Sequence, residues 1–206
     1  MIGRHLVLIG IIIAAALLVL ATLHYPGGSQ ADINSIGYDW KNNYISNLFG
    51  EKSFNGAKSG SRFWAVGAMA SLSISFTIFF FRFSKRIPAR GSAKIIRFFG
   101  ASGMVFSAFI ATKWHDQMIT IASTLFLVSI FYITVYVFKT RLYFFKFLCT
   151  VCLLTFYVML FLFGAGFYME FWPIVQKITI ANSIILVVAL EYYAREEDFQ
   201  HIKAGK

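Results

Sequence analysis

Residues Leu6–Leu23 read LVLIGIIIAAALLVLATL, an apolar run with no charged side chain in it. As an α-helix it is about 27 Å long at 1.5 Å per residue, close to the hydrocarbon thickness of a bilayer. Arg4 and His5 precede it. The run exceeds the apolar region of a secretory signal, about 7–15 residues, and no small-x-small cleavage site follows. It therefore reads as a retained first transmembrane helix.

Five further runs have comparable length and apolarity: Phe63–Phe81, Ile95–Thr112, Met118–Phe138, Leu142–Gly164 and Pro173–Ala194. The third is the shortest, and Gly100, Ser102 and Gly103 lower its hydropathy. The expected architecture is an all-α, polytopic bundle of six transmembrane helices (about 6–23, 63–81, 95–112, 118–138, 142–164 and 173–194) forming a single domain, with one long outer loop over 24–62.

Composition agrees. The chain of 206 residues is 58% hydrophobic and 14% charged, with a mean hydropathy of +0.68. Charged residues make up about a quarter of an ordinary soluble domain. So much apolar surface is better accommodated by lipid around the outside of a bundle. The 24 phenylalanines suit lipid-facing surfaces.

The net charge of +10 raises the question of nucleic acid. The basic residues, however, sit in short connections between apolar runs, where they set topology. No separate basic domain exists, so no nucleic-acid partner is expected. Arg4, Arg82, Lys85, Arg86, Arg90, Lys94, Arg97, Lys139, Arg141, Lys146, Arg195, Lys203 and Lys206 fall on one side. Lys41, Lys52, Lys58, Arg62 and Lys113 fall on the other. This bias predicts both termini inside. Size and simplicity suggest a bacterial inner membrane.

The outer loop carries Tyr38, Trp40, Tyr44, Ile45, Leu48, Phe49 and Phe54 among its Gly, Asn and Ser residues. A solvated linker would lack these aromatics. A short helix is expected near Asp39–Phe49, lying on the bundle, and loops this long are often functional.

Polar residues inside apolar helices are functional candidates by default. Lys177 stands one turn inside the sixth helix, either snorkelling outward or pairing with Glu170 or Asp116. Gln176, Thr179 and Ser183 share one face of that helix. Such a face bonds neighbouring helices or, alternatively, lines a polar cavity. Glu191 is expected to meet the basic interface.

On the outer side, His115 and Asp116 occupy a short turn, His24 ends the first helix, and Asp39 lies in the loop. Two histidines and a carboxylate could bind a metal, and His115 beside Asp116 or Asp39 could act as a base with its orienter. These four are the catalytic candidates.

Other chemistry is disfavoured. With histidine only at positions 5, 24, 115 and 201, no H-x-x-x-H zinc motif exists, and neither His24 nor His115 lies at the mid-depth a bis-histidine haem would need. No Gly-rich phosphate loop occurs. Cys149 and Cys152 at i and i+3 read as small packing residues. No cofactor or metal is predicted. Small residues recur at four-residue spacing in Gly67–Ser71–Ser75 and Gly103–Ser107–Ala111, which lets helix backbones approach closely. The Phe-rich fifth helix is expected at the periphery, against lipid or a partner.

The stretch Asn43–Tyr44–Ile45–Ser46–Asn47–Leu48–Phe49–Gly50 resembles the first outer loop of the DRAM/Frag-like six-helix membrane proteins and their prokaryotic relatives of unknown function. These carry an Asn/Pro-x-Ile-Ser-x-Leu-Gly-like stretch and a His or acidic residue near the third and fourth helices. Here Phe49 intervenes before Gly50, and the usual flanking Pro is missing. The motif residues are Asn43, Ser46 and Gly50. The resemblance implies an α-helical membrane bundle and no particular reaction, with lipid handling and membrane trafficking among the roles proposed for such families.

Three functions follow as expectations. The first is a non-enzymatic membrane protein, either a lipid-interacting module or an accessory subunit of a larger complex, with membrane lipids and other subunits as partners. The second is an interfacial, lipid hydrolase-like enzyme. The third is a small transporter using Lys177.

Overall fold

The computed structural model of the protein describes residues 2–166 and 170–202. Lys203 and Lys206 of the basic tail lie outside the described residues. The long helices are α1 (Ile2–Leu23), α2 (Ser61–Ser84), α3 (Arg90–Ala108), α4 (His115–Phe138), α5 (Tyr143–Ala165) and α6 (Trp172–Tyr193), followed by the short α7 (Glu197–Gln200). Among the described residues there is no strand, only two isolated bridges in the long connection.

Among the described residues, five segments are long and apolar enough to cross a membrane: His5–Leu23, Ser61–Ser84, His115–Phe138, Tyr143–Leu162 and Trp172–Tyr193. The expected third span is the exception. Its helix starts at Arg90, not Ile95, because extended Ala89 caps it just after Pro88. It consequently includes Arg90, Lys94 and Arg97. It also stops at Ala108, where the amides of Phe109 and Ile110 turn back to Phe106 and Ser107 in tight i→i−3 bonds.

Each of the six long helices packs on its sequence neighbour, and α6 returns to α2 and α1, closing the ring. The end covered by residues 24–60 is called here the cap end, and the end holding Arg82 and Arg86 the basic end.

Close approach is achieved where the small-residue rows predicted it. A Cβ on Gly10 would lie 2.0 Å from Ser75 Oγ, and Ser71 Oγ donates to the Gly10 carbonyl at 2.8 Å. A Cβ on Gly103 would meet the α4 backbone at Ala122 and Phe126. Gly100 admits the Phe80 ring, with which any Cβ would collide at 2.3 Å. Phe79, Phe80, Phe83, Ile130, Ile133 and Leu190 fill the basic half of the bundle. Helix α5 is the most exposed of the five candidate spans, presenting Tyr143, Phe144, Phe147, Tyr157 and Phe161 outward. Cys149 and Cys152 are buried and unlinked.

The basic end is locked electrostatically, with Glu191 meeting the basic residues as expected. Its side chain, 5% exposed, receives Arg82 at 2.8 Å and Arg86 at 3.1 Å. The Arg86 guanidinium also donates to the carbonyls of Leu190, Glu191 and Ala194. It thereby satisfies acceptors that the end of α6 leaves open. Burial lowers the Arg86 pKa, and Glu191 opposes that shift.

Candidate functional site

The cap is a folded unit organised on Asn43, which is completely buried. Its Oδ1 accepts the Asp39 amide at 2.9 Å, and its Nδ2 donates to the Gly28 carbonyl at 2.9 Å. Its own carbonyl accepts from Tyr38 Oη and from Lys177 Nζ. Gly27 and Gly28 adopt positive φ, and a Cβ on either would strike backbone at under 2.5 Å. The phenol rings of Tyr25 and Tyr38 and the indole of Trp40 stack edge-to-face. Burial raises the pKa of both tyrosines.

The helix expected over Asp39–Phe49 is confined to a 3-10 turn at Ile45–Phe49. The Asp39 carboxylate explains the shortening. Its Oδ1 accepts the amides of Lys41 and Asn42, an Asx turn that competes with helix formation. The Asn42 side chain, at 2.7 Å from Oδ2, is the main group holding the Asp39 carboxyl below its ordinary pKa.

Two adjacent residues of α6 staple this cap to the bundle. Gln176 Oε1 accepts the Ile45 amide at 2.8 Å. Lys177 Nζ donates to the carbonyls of Asn43 and Pro173. Lys177 thus snorkels toward the cap, and its hydrogen bonds go to carbonyls, not to Glu170 or Asp116.

Beneath the cap lies a cavity of about 930 Å³. Its mouth is lined by Lys41, Asn42, Ser46, His115, Asp116, Glu170 and Gln176, its walls by Met69, Phe76, Met104, Phe126, Phe156, Met159 and Ile184. Ser73, Ser107, Thr179 and Ser183 add hydroxyls to those walls. The polar face of α6 lines this cavity, and its one contact to a neighbouring long helix among the described residues is Ser183 Oγ with Cys152 Sγ at 3.8 Å. The Thr179 and Ser183 hydroxyls donate back to the carbonyls of Val175 and Thr179.

The four catalytic candidates do not converge. His115 Nδ1 and Asp116 Oδ1 are 2.8 Å apart at the mouth. His24 bonds the Leu20 carbonyl and packs on Trp64, and Asp39 is engaged inside the cap. Neither lines the cavity. Among the described residues no three His, Cys, Asp or Glu side chains group to hold a metal. Of the motif residues, Asn43 organises the cap, Ser46 lines the cavity, and Gly50 ends the 3-10 turn. The sequence offered a polar cavity along α6 only as the alternative reading, and the role of Ser73 was missed. Ser73 is one serine among several on α2, and only its partner Ser107 marks it.

Comparisons with protein-family models, curated proteins and solved structures match nothing.

Proposed function

We propose that this protein is an integral membrane protein that binds a lipid, or another single-chain amphiphile, in the cavity beneath its cap. The cavity itself carries the reading. A site with charged and amide groups at its mouth and methionine, phenylalanine and isoleucine below has the polarity of an amphiphile. Binding sites of 300–1,000 Å³, mostly apolar with a few placed polar groups, are the usual ligand sites. If each methylene fills about the 30 Å³ of a liquid water, a sixteen-carbon chain needs roughly 500 Å³, which leaves room for a headgroup.

In this proposal α3 is a sixth span, tolerated despite its charges because Arg90, Lys94 and Arg97 lie toward the basic end. Both termini are cytoplasmic, and the membrane is a bacterial inner membrane. The resemblance to DRAM/Frag-like proteins belongs to the same proposal. The experiment is native mass spectrometry of protein purified in mild detergent. A single chain carrying one lipid mass, lost in a Met159→Trp variant that fills the cavity, is the expected result. Protein that stays lipid-free and takes up no added amphiphile overturns the reading. A stoichiometric protein companion would point instead to an accessory subunit.

One observation favours a second reading, an interfacial hydrolase. The His115–Asp116 pair stands at the mouth, in the arrangement of a base with its orienter. Turnover of a bound ester that His115→Ala abolishes would establish it.

A further inference from the structure

The hydroxyls that line the cavity below its mouth have committed their protons to the protein. Ser107 Oγ donates its single proton to the Met104 carbonyl at 2.7 Å. In the Ser73–Ser107 contact of 2.8 Å, Ser73 must then be the donor, since a hydroxyl has one proton and two lone pairs. Thr179 and Ser183 donate to carbonyls of their own helix, and Cys152 Sγ lies 3.8 Å from Ser183 Oγ, whose proton is already spent. What these four groups turn toward a ligand is lone pairs. Trp172 also lines the cavity, but its Nε1 is covered by protein. Ser123 is the one wall hydroxyl that these bonds leave uncommitted.

Three of the four groups share a level. Helices α2 and α6 both run from the cap end to the basic end, and Arg82 meets Glu191. Nine residues back from each stand Ser73 and Asn182, the latter adjacent to Ser183, while Ser107 bonds Ser73. This rung lies about 14 Å above the basic end and about 10 Å below Gln176 at the mouth, at 1.5 Å per residue. The three hydroxyls form a cluster of hydrogen-bond acceptors in a chamber walled mostly by apolar side chains.

We propose that the ligand is an amphiphile whose apolar part carries a hydroxyl or N–H donor roughly 10 Å from its headgroup. The proposal rests on the lipid-binding reading of the same cavity. A plain saturated chain leaves the acceptors facing methylenes. A mid-chain hydroxyl supplies the proton they lack. The mouth, with Asp116 and Glu170 against Lys41, carries one more negative than positive charge when His115 is counted neutral, so the headgroup is uncharged or amine-bearing rather than anionic.

The test uses the full chain in mild detergent and two probes with neutral headgroups, stearoyl monoglyceride and its mid-chain hydroxy derivative. Binding of each is followed by quenching of tryptophan fluorescence. The hydroxy derivative is expected to bind about tenfold tighter, the worth of one hydrogen bond. That preference should fall to within about twofold when all three acceptors are removed together, in Ser73→Ala/Ser107→Ala/Ser183→Ala. Equal affinity of the two probes for the wild-type chain overturns this inference and leaves the cavity reading standing. Binding of neither overturns both. The wild-type comparison decides even if a variant fails to fold.

Discussion

Replacing Asn43 by alanine should open the cap without unfolding the bundle. The substitution removes two hydrogen bonds from a fully buried side chain. The Asp39 amide loses its acceptor. The Gly28 carbonyl keeps a weaker bond, from Tyr25 Oη at 3.3 Å. Each buried group left unsatisfied costs about 1–3 kcal/mol. With Gly28 partly compensated, the total is about 2–3 kcal/mol. The contacts of the Asn43 carbonyl with Lys177 and Tyr38 survive, because they use backbone. The loss therefore falls on local opening of residues 24–60, whose open population should rise about 30- to 150-fold at 1.4 kcal/mol per tenfold. Native-state trypsin digestion reads this directly, since Lys41, Lys52 and Lys58 lie in the cap. When opening and closing are fast, cleavage tracks the open population. Cleavage of a folded Asn43→Ala protein within threefold of wild type would refute the assignment of Asn43 as the organising residue. Asn42→Ala, which loses only a part-buried bond to Asp39, is the control and should change cleavage a few-fold.

At the basic end, Glu191→Ala removes the carboxylate that Arg82 and Arg86 share while Arg86 keeps its bonds to the α6 carbonyls, and it should destabilise the protein by about 1–3 kcal/mol, measured as a lowered thermal midpoint in detergent. Gly100→Ala drives a methyl group into the Phe80 ring and should cost about 1–3 kcal/mol, whereas Gly91→Ala, with open space around it, should be neutral or stabilising by up to about 1 kcal/mol; the two thermal midpoints compared within one series check this. The Asp39 carboxyl titrates below its ordinary value, chiefly through Asn42, so its contribution is present above the unfolded value of 3.8 and is lost as pH falls through the lowered folded value. The stability difference between wild type and Asp39→Asn should therefore be constant from about pH 7 to pH 5 and shrink below about pH 4, as followed by thermal melts across that range.

The helices were legible because apolar length is a property of one segment at a time. Leu6–Leu23 needs no partner to be read as a helix, and neither does the basic clustering that Glu191 joins. The boundaries that shifted are those set by local competition. At Asp39 a carboxylate captured the amides that would have begun a helix. At Ala108 the chain tightened into i→i−3 turns with no Gly or Pro to announce it. The convergence of His24, Asp39 and His115 failed for a different reason. Sequence placed all three on one side of the membrane, but sharing a depth says nothing about direction around the bundle, and His24 points at Trp64 while Asp39 serves the cap.

The cavity shows what sequence lacked and where it could have been supplied. Each lining face is ordinary on its own helix. Only the register between helices brings Ser73, Ser107 and Ser183 to one level, and an ion pair at the helix ends narrows that register for α2 and α6 to within about one turn. Both run the same way, so pairing Glu191 with Arg82 sets an offset of 109 residues and pairing it with Arg86 one of 105; the first places Ser73 beside Asn182 and Ser183. An acid near the end of the last helix and an arginine near the end of the second are both visible in the sequence. Had they been paired to each other, and not left to a diffuse basic interface, the serine of α2 would have been singled out together with the polar face of α6. Buried charge pairs at helix ends are thus informative rulers in a chain of this kind, good to about one turn: Glu191 is the only acidic residue in the whole of α6, the long stretch from Lys52 to His115 contains none, and the two arginines that meet Glu191 stand four residues apart.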